Sequence, residues 1–374
     1  MRLLICAGGT GGGVYPALAV LQALNDLRPD WQVEGALLWI GGEGGMEGEI
    51  VSRQNIDFQT IPAAGLHGVG LKNLPGNLTK LVKGYLKAST IIREFQPEAM
   101  FFTGGYLAVP VAYAGRSVPS LVFMPDIEPG LAIKVIANLA EKIALSVEQS
   151  RLHTPAGKPG MVTGYPVRSQ MLSWDRERAL QALDLKSDAP VLLVFGGSKG
   201  ARSINRAVLA ILPTLLPEMQ VLHITGSLDW EEVSASREKL SYSQQEGYHI
   251  YPFLHEEMGA ALRCADLAVS RSGASILGEY PLFELPSILV PYPHAWRYQK
   301  TNASYLAERG AAVIVDDGEL TERLLPEIQT LMADPDRRTD MRLALRGMAR
   351  PDAAKQIGQA LFELAERRRG GIQI

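Results

Sequence analysis

Cysteine is nearly absent from this sequence: Cys6 and Cys264, far apart, are the only two among 374 residues. So few thiols exclude a disulfide-built scaffold and lead us to expect a reduced, cytoplasmic protein. The chain also opens on a strand-like run, not on a charged segment leading into a long apolar one, so no export signal is expected. Long apolar runs are missing too. The most apolar stretch, 99–124, is broken by Gly104-Gly105, Pro110, Arg116 and Pro119, short of the roughly 20 residues that cross a membrane. The six histidines have no paired-ligand spacing, and Asp334-Pro335-Asp336 reads as a solvated helix start. No metal and no cofactor are therefore expected. Charge of one sign is not in excess either, with a formal net charge of −3, which argues against a nucleic-acid partner.

One local absence stands out. From Phe58 to Arg93 there is no Asp or Glu, while Lys72, Lys80, Lys83, Lys87 and Arg93 recur among Leu74, Leu78, Leu81, Val82, Tyr85 and Leu86. Leu78, Leu81/Val82 and Tyr85 fall on one helical face, a basic amphipathic pattern suited to anionic lipid. An ordinary surface helix with its apolar face in the core is the alternative.

What is present is an alternation of short β-rich runs and helical stretches. The first half carries Leu3–Ala7, Gly35–Ile40, Ala99–Thr103, Ser120–Met124 and Ile143–Val147. The second carries Val191–Phe195, Val221–Thr225, His249–Tyr251, Leu267–Ser270, Ser287–Val290 and Ala312–Val315. The length exceeds the roughly 250–300 residues at which single cores stop growing. The pattern predicts an α/β chain of two doubly wound, Rossmann-like parallel-sheet domains facing an interdomain cleft. The expected divisions are 1–163, 164–350 and a returning helical tail, 351–374, with Ala353, Ile357, Ala360, Leu361 and Leu364 on one side.

Each half opens with a glycine-rich turn between a strand and a helix: Gly8-Gly9-Thr10-Gly11-Gly12-Gly13 and Gly196-Gly197-Ser198-Lys199-Gly200. Such turns let a phosphate approach backbone N–H groups at the positive end of a helix. The second lacks the spacing of an ATP-hydrolysing P-loop. Farther on, Ser270-Arg271-Ser272-Gly273-Ala274 through Glu279 again reads as strand, small-residue turn and helix, with Glu279 inside the helix and able to accept from a ribose. A polar loop, Pro291-Tyr292-Pro293-His294, leads to Gln299, which can meet a sugar hydroxyl.

Taken in order, these segments, with Gly104-Gly105-Tyr106, Gly164-Tyr165-Pro166-Val167-Arg168, Asn302-Ala303 and Pro351-Asp352-Ala353-Ala354, resemble the MurG family of glycosyltransferase family 28. The resemblance implies a GT-B fold and an inverting transfer of N-acetylglucosamine from UDP-N-acetylglucosamine to undecaprenyl-pyrophosphoryl-N-acetylmuramyl-peptide in peptidoglycan synthesis. It implies peripheral attachment to anionic lipid at the cytoplasmic face of the membrane. Carried over by position, Arg168 and Ser198 would bind the diphosphate and Leu254 the uracil. Ala274, Ser275, Ile276, Leu277 and Gly278 would form the phosphate-proximal helix start, Glu279 would hold the ribose and Gln299 the sugar. Thr10, Gly11 and Gly12 would form the acceptor-side wall, with Asp126 on a sugar hydroxyl. Two departures leave the catalytic base open. The family's histidine after Gly-Gly-Thr-Gly-Gly is Gly13 here, and its His-Glu-Gln-Asn is Phe123-Met124-Pro125-Asp126. Asp126 and Glu128 are the candidate bases. A different lipid acceptor, or a scaffold that binds the UDP-sugar without turnover, are the alternative readings.

Overall fold

The computed structural model describes residues 1–8, 11–31, 35–45, 47–63, 74–197, 200–295 and 297–370. The chain divides into two compact units, 1–168 with 351–374, and 169–350. The first unit thus extends to Arg168, beyond the division at 163 read from the sequence.

The first unit holds one parallel sheet of β1 (Leu3–Ala7), β2 (Leu37–Gly42), β3 (Asp57–Ile61), β4 (Ala99–Gly104), β5 (Ser120–Met124), β6 (Lys142–Leu145) and β7 (Met161–Val162). Their order is β3-β2-β1-β4-β5-β6-β7. In register, Ile5 lies between Trp39 and Phe101. All three side chains are fully buried, as expected of strands covered on both faces. Two strands escaped the sequence reading. β3 alternates exposed and half-buried residues at the sheet edge, so its apolar signal is weak, and β7 has only two residues.

The second unit repeats the plan with β8 (Val191–Phe195), β9 (Gln220–Ile224), β10 (Tyr248–Tyr251), β11 (Leu267–Ser270), β12 (Ser287–Leu289) and β13 (Ala312–Ile314). Its order is β10-β9-β8-β11-β12-β13, all parallel. In each sheet the chain steps outward from the middle strand, then returns to its other side. The reversal lies between β1 and β4 in one sheet and between β8 and β11 in the other. In open α/β sheets ligands bind at such reversals, outside the carboxyl ends of the strands. Both glycine-rich turns follow a strand that flanks one.

The last helix, Ala353–Arg369, packs on helix Gly11–Leu27 of the first unit. Ala353, Ile357, Ala360, Leu361 and Leu364 are all buried. Phe362 meets Trp31 edge to face, and the Arg28 guanidinium lies 4.4 Å from its ring centroid. At the far end Arg369 grips Glu98 with two hydrogen bonds of 2.6 and 2.7 Å, and this contact holds the Glu98 carboxyl down at about 2.

Candidate functional site

In the second unit, the turn after β8 admits only glycine at positions 196 and 200. A Cβ on Gly196 would lie 2.2 Å from the Ala201 amide nitrogen, and one on Gly200, where φ is +78°, would lie 2.3 Å from the Thr225 carbonyl oxygen. The backbone therefore presses against the loop after β9 and then enters helix Arg202–Leu215. Ser198, the expected diphosphate ligand, lies outside the described residues.

Behind this turn runs a buried polar chain that sequence reasoning did not find. The His223 ring is buried and its pKa is lowered to about 3 by desolvation, so the imidazole is neutral. Its Nε2 lies 3.0 Å from Asn205 Oδ1, an acceptor only, so Nε2 carries the proton and Nδ1 accepts from the Tyr248 hydroxyl at 2.8 Å. Asn205 Nδ2 donates to the Thr225 carbonyl and to Asp229 Oδ2, each at 2.9 Å. Asp229 Oδ1 accepts from Arg202 Nε at 2.8 Å. The contributing residues are scattered along the chain, so no local pattern announces them.

Beyond β11, Arg271 is a tie and not a surface cation. Its guanidinium donates to Val290 O, to Ser203 Oγ at 2.7 Å and to Asp317, joining the segments that follow β11, β12 and β13 to the first turn of helix Arg202–Leu215. The helix expected to follow Gly273 is interrupted. Ala274–Leu277 form a 3-10 turn, and a separate helix runs Glu279–Phe283. Pro281 explains the break: without an N–H it cannot bond the Leu277 carbonyl, which its ring would also crowd in one continuous helix. Glu279 therefore opens the second helix, half-buried, instead of lying inside the first. Tyr280, fully buried, anchors that helix by its hydroxyl to Ser270 Oγ on β11. Gln299 Oε1 accepts from the Tyr292 amide at 2.9 Å, and its carbonyl accepts from Ser272 Oγ at 2.8 Å. Leu254 is buried in the loop after β10, between Phe253 and His255, whose rings lie 4.6 Å apart.

In the first unit, Thr10 lies outside the described residues, while Gly11 and Gly12 open helix Gly11–Leu27. A Cβ on Gly105, where φ is +88°, would lie 2.9 Å from the Gly8 carbonyl oxygen, so the turns after β1 and β4 touch through backbone. Under them sits Glu47, 1% exposed, accepting from the Gly42 amide at 2.7 Å, a buried carboxylate the sequence reading passed over. Gly13 has ordinary room: an added Cβ would lie 3.4 Å from the Gly8 carbonyl oxygen and 3.6 Å from Thr103 Oγ1. Phe123 and Met124 are fully buried. Phe123 stacks edge to face on Tyr165, and Met124 belongs to the core on the other face of the sheet. Asp126 is half-buried and Glu128 buried, in a loop that Ser146 Oγ fixes by donating to the Pro125 carbonyl at 2.8 Å. The Arg168 guanidinium lies 4.7 Å from the Tyr15 ring centroid.

Residues 3–145 match the glycosyltransferase family 28 N-terminal domain and residues 191–357 its C-terminal domain. A protein of Roseiflexus sp. (strain RS-1), named UDP-N-acetylglucosamine--N-acetylmuramyl-(pentapeptide) pyrophosphoryl-undecaprenol N-acetylglucosamine transferase, is 39% identical over 98% of this chain and 96% of its own. One of the same name from Listeria monocytogenes serotype 4a is 35% identical over 97% of this chain and 99% of its own. Among solved structures, Acinetobacter baumannii MurG is similar with a TM-score of 0.73 at 25% identity, covering 96% of this chain and 99% of that one. A Neisseria meningitidis UDP-GlcNAc 2-epimerase shares the fold, with a TM-score of 0.67 at 12% identity, covering 97% of this chain and 100% of that one.

Proposed function

Because the chain belongs to glycosyltransferase family 28, in its MurG branch, we propose that it transfers N-acetylglucosamine from UDP-N-acetylglucosamine to undecaprenyl-pyrophosphoryl-N-acetylmuramyl-peptide, making lipid II from lipid I. The observation that carries this is likeness over both halves at once, to relatives that bear that activity in their names. The donor reading rests on the second unit. Its glycine turn and the amide end of helix Arg202–Leu215 suit a diphosphate. Glu279 at the start of its own helix suits a ribose diol, Leu254 the uracil, and Gln299 the sugar. Ser198 and the segment Ala274–Gly278 complete the phosphate side, and Arg168 supplies a cation. Thr10, Gly11 and Gly12 belong to the acceptor side.

In the reaction, the acceptor hydroxyl attacks the anomeric carbon from the face opposite UDP, through an oxocarbenium-like state, and inverts it. Charge builds on the departing diphosphate, where helix-end amides and Arg168 stabilise it. The attacking hydroxyl must lose a proton. Of the two candidate carboxylates, Asp126 is the more accessible, since Glu128 is only 9% exposed.

A peripheral seat on the membrane is part of the proposal. Among the described residues no helix is long and apolar enough to cross a bilayer. On helix Leu74–Phe95, however, Leu78, Val82, Tyr85 and Leu86 are 57%, 53%, 39% and 60% exposed. The core is met instead by Ala88, Ile91 and Ile92. These exposed apolar residues stand among Lys80, Lys83 and Lys87, which favours anionic lipid over the ordinary-surface-helix alternative. Lys72 lies outside the described residues.

The deciding experiment is incubation with UDP-N-acetylglucosamine and lipid I in the presence of chelator, followed by mass spectrometry of the lipid. Lipid II is the expected product. UDP-sugar binding without glycosylated lipid would favour the non-catalytic scaffold, the reading that Gly13 and the buried Phe123-Met124 pair keep open.

A further inference from the structure

We propose that Arg202 is a cation for the donor diphosphate, aimed at it by Asp229, an inference that rests on the donor site proposed above. Arg202 is the first residue of helix Arg202–Leu215, directly after the glycine turn. A positive side chain at the positive end of a helix dipole is disfavoured by its own backbone. The fold holds it there nonetheless, through Nε on Asp229 at 2.8 Å. Asp229 is 4% exposed and fixed from behind by Asn205, which His223 and the Thr225 carbonyl orient in turn.

Stability is a poor account of this arrangement. The Arg202 side chain is 61% exposed, so water already solvates much of its charge and the pair adds little to stability, while keeping a carboxylate in the interior is costly. Binding through Nε alone does have a chemical use. Nη1 and Nη2 make no hydrogen bond among the described residues, and the fork they form matches a pair of phosphate oxygens. Gly200, Thr225 and Asp229 all lie past the carboxyl ends of β8 and β9, on the edge where a ligand of this fold is bound. Arg202 is thus a contact residue for a nucleoside diphosphate, and Asp229 a positioning residue.

The test is calorimetric binding of UDP and of uridine to the full chain and to Arg202→Ala, Arg202→Lys, Asp229→Asn and Glu279→Ala. Arg202→Ala is expected to weaken UDP on the order of tenfold and leave uridine unchanged. Arg202→Lys should recover part of the loss, and KM for the UDP-sugar should rise more than kcat falls. Asp229→Asn should show a smaller loss, again confined to UDP. Equal weakening of UDP and uridine by Arg202→Ala would overturn the proposal in favour of a purely structural role. Unchanged UDP binding in Arg202→Ala, with both ligands weakened in Glu279→Ala, would overturn it while leaving the donor site standing. If Glu279→Ala also binds as the parent does, the donor-site reading itself falls, and the role of Arg202 with it.

Discussion

Glu279 and Asp126 carry the sharpest expectations at the scale of single residues. If Glu279 holds the ribose as proposed, Glu279→Ala removes a charge-assisted contact worth on the order of 1.5–3 kcal/mol, so UDP and UDP-sugar should weaken together by at least tenfold. Calorimetry with both ligands checks this, and a folded variant that binds like the parent removes Glu279 from the site. Asp126→Asn should lower kcat by about 10²–10⁴ with donor affinity nearly unchanged, if Asp126 takes the acceptor proton. A fast Asp126→Asn enzyme would return the base to Glu128 or to the substrate. Restoring the family's polar residues is a different matter at each position. Gly13 is buried but has room for a Cβ, so the fold of Gly13→His is to be checked by its melting temperature, and raised transfer in a folded variant would mean a base had been missing. Met124→Glu instead puts a carboxylate into the core, and an unpaired buried charge costs several kcal/mol. Thermal denaturation should show that variant melting well below the parent, which makes Gly13→His alone the informative replacement.

Elements add effects that no single side chain shows. On helix Leu74–Phe95, lysines and exposed apolar residues would act together on a lipid surface. Replacing Lys80, Lys83 and Lys87 by Glu should strongly reduce co-sedimentation with anionic vesicles, at about 1 kcal/mol per basic residue, and leave UDP binding intact. Equal sedimentation of parent and variant would count against membrane docking by this helix. The last helix offers a pH test. Arg369 depresses the Glu98 carboxyl from an ordinary 4.5 to about 2, so the folded state prefers Glu98 ionised. That preference stabilises the fold fully above about pH 5 and is lost as pH falls through 4.5 toward 2. Urea midpoints of the parent and of Glu98→Gln should therefore differ at pH 7, and the gap should narrow steadily as pH falls from 4.5 toward 2. A gap that stays constant would mean Glu98 contributes through packing and not through its charge.

For the molecule as a whole, the sequence reached as far as local signals reach. Strands such as Leu3–Ala7 and Val191–Phe195 were legible because apolar runs bounded by glycine carry their own evidence. So was the apolar face of helix Ala353–Arg369, whose spacing repeats at helical period. β3 was not legible, since an edge strand with Asp57 and Gln59 has no continuous apolar run. Nor was the chain from Tyr248 through His223 and Asn205 to Asp229, because its order exists only once β9, β10 and the helix after β8 have assembled. The break at Gly278 did have a local cause in Pro281, which the small-residue pattern masked. The buried chain also leaves a mark on global stability. His223 is held neutral down to about 3, against 6.5 for an ordinary imidazole, so between those values the unfolded chain binds the extra proton. Stability should fall as pH drops through that window, by at most about 1.4 kcal/mol per unit. His223→Gln, though weaker at neutral pH, should decline less steeply between pH 6.5 and 4.5. Parallel curves for the two proteins would place a charged imidazole in the fold.

The return of residues 351–374 to the first unit makes 169–350 an insertion within it. On the ribosome, where a chain emerges from its N-terminus, the unit begun first is therefore the unit finished last. Until the final helix appears, the partner surface on helix Gly11–Leu27, including Leu24 and Leu27, waits uncovered while 169–350 already has every strand of its own sheet. The nascent protein should thus carry a folded second unit ahead of a completed first one. Released chains truncated at 350 should resist protease across 169–350 while remaining sensitive around Leu24 and Leu27.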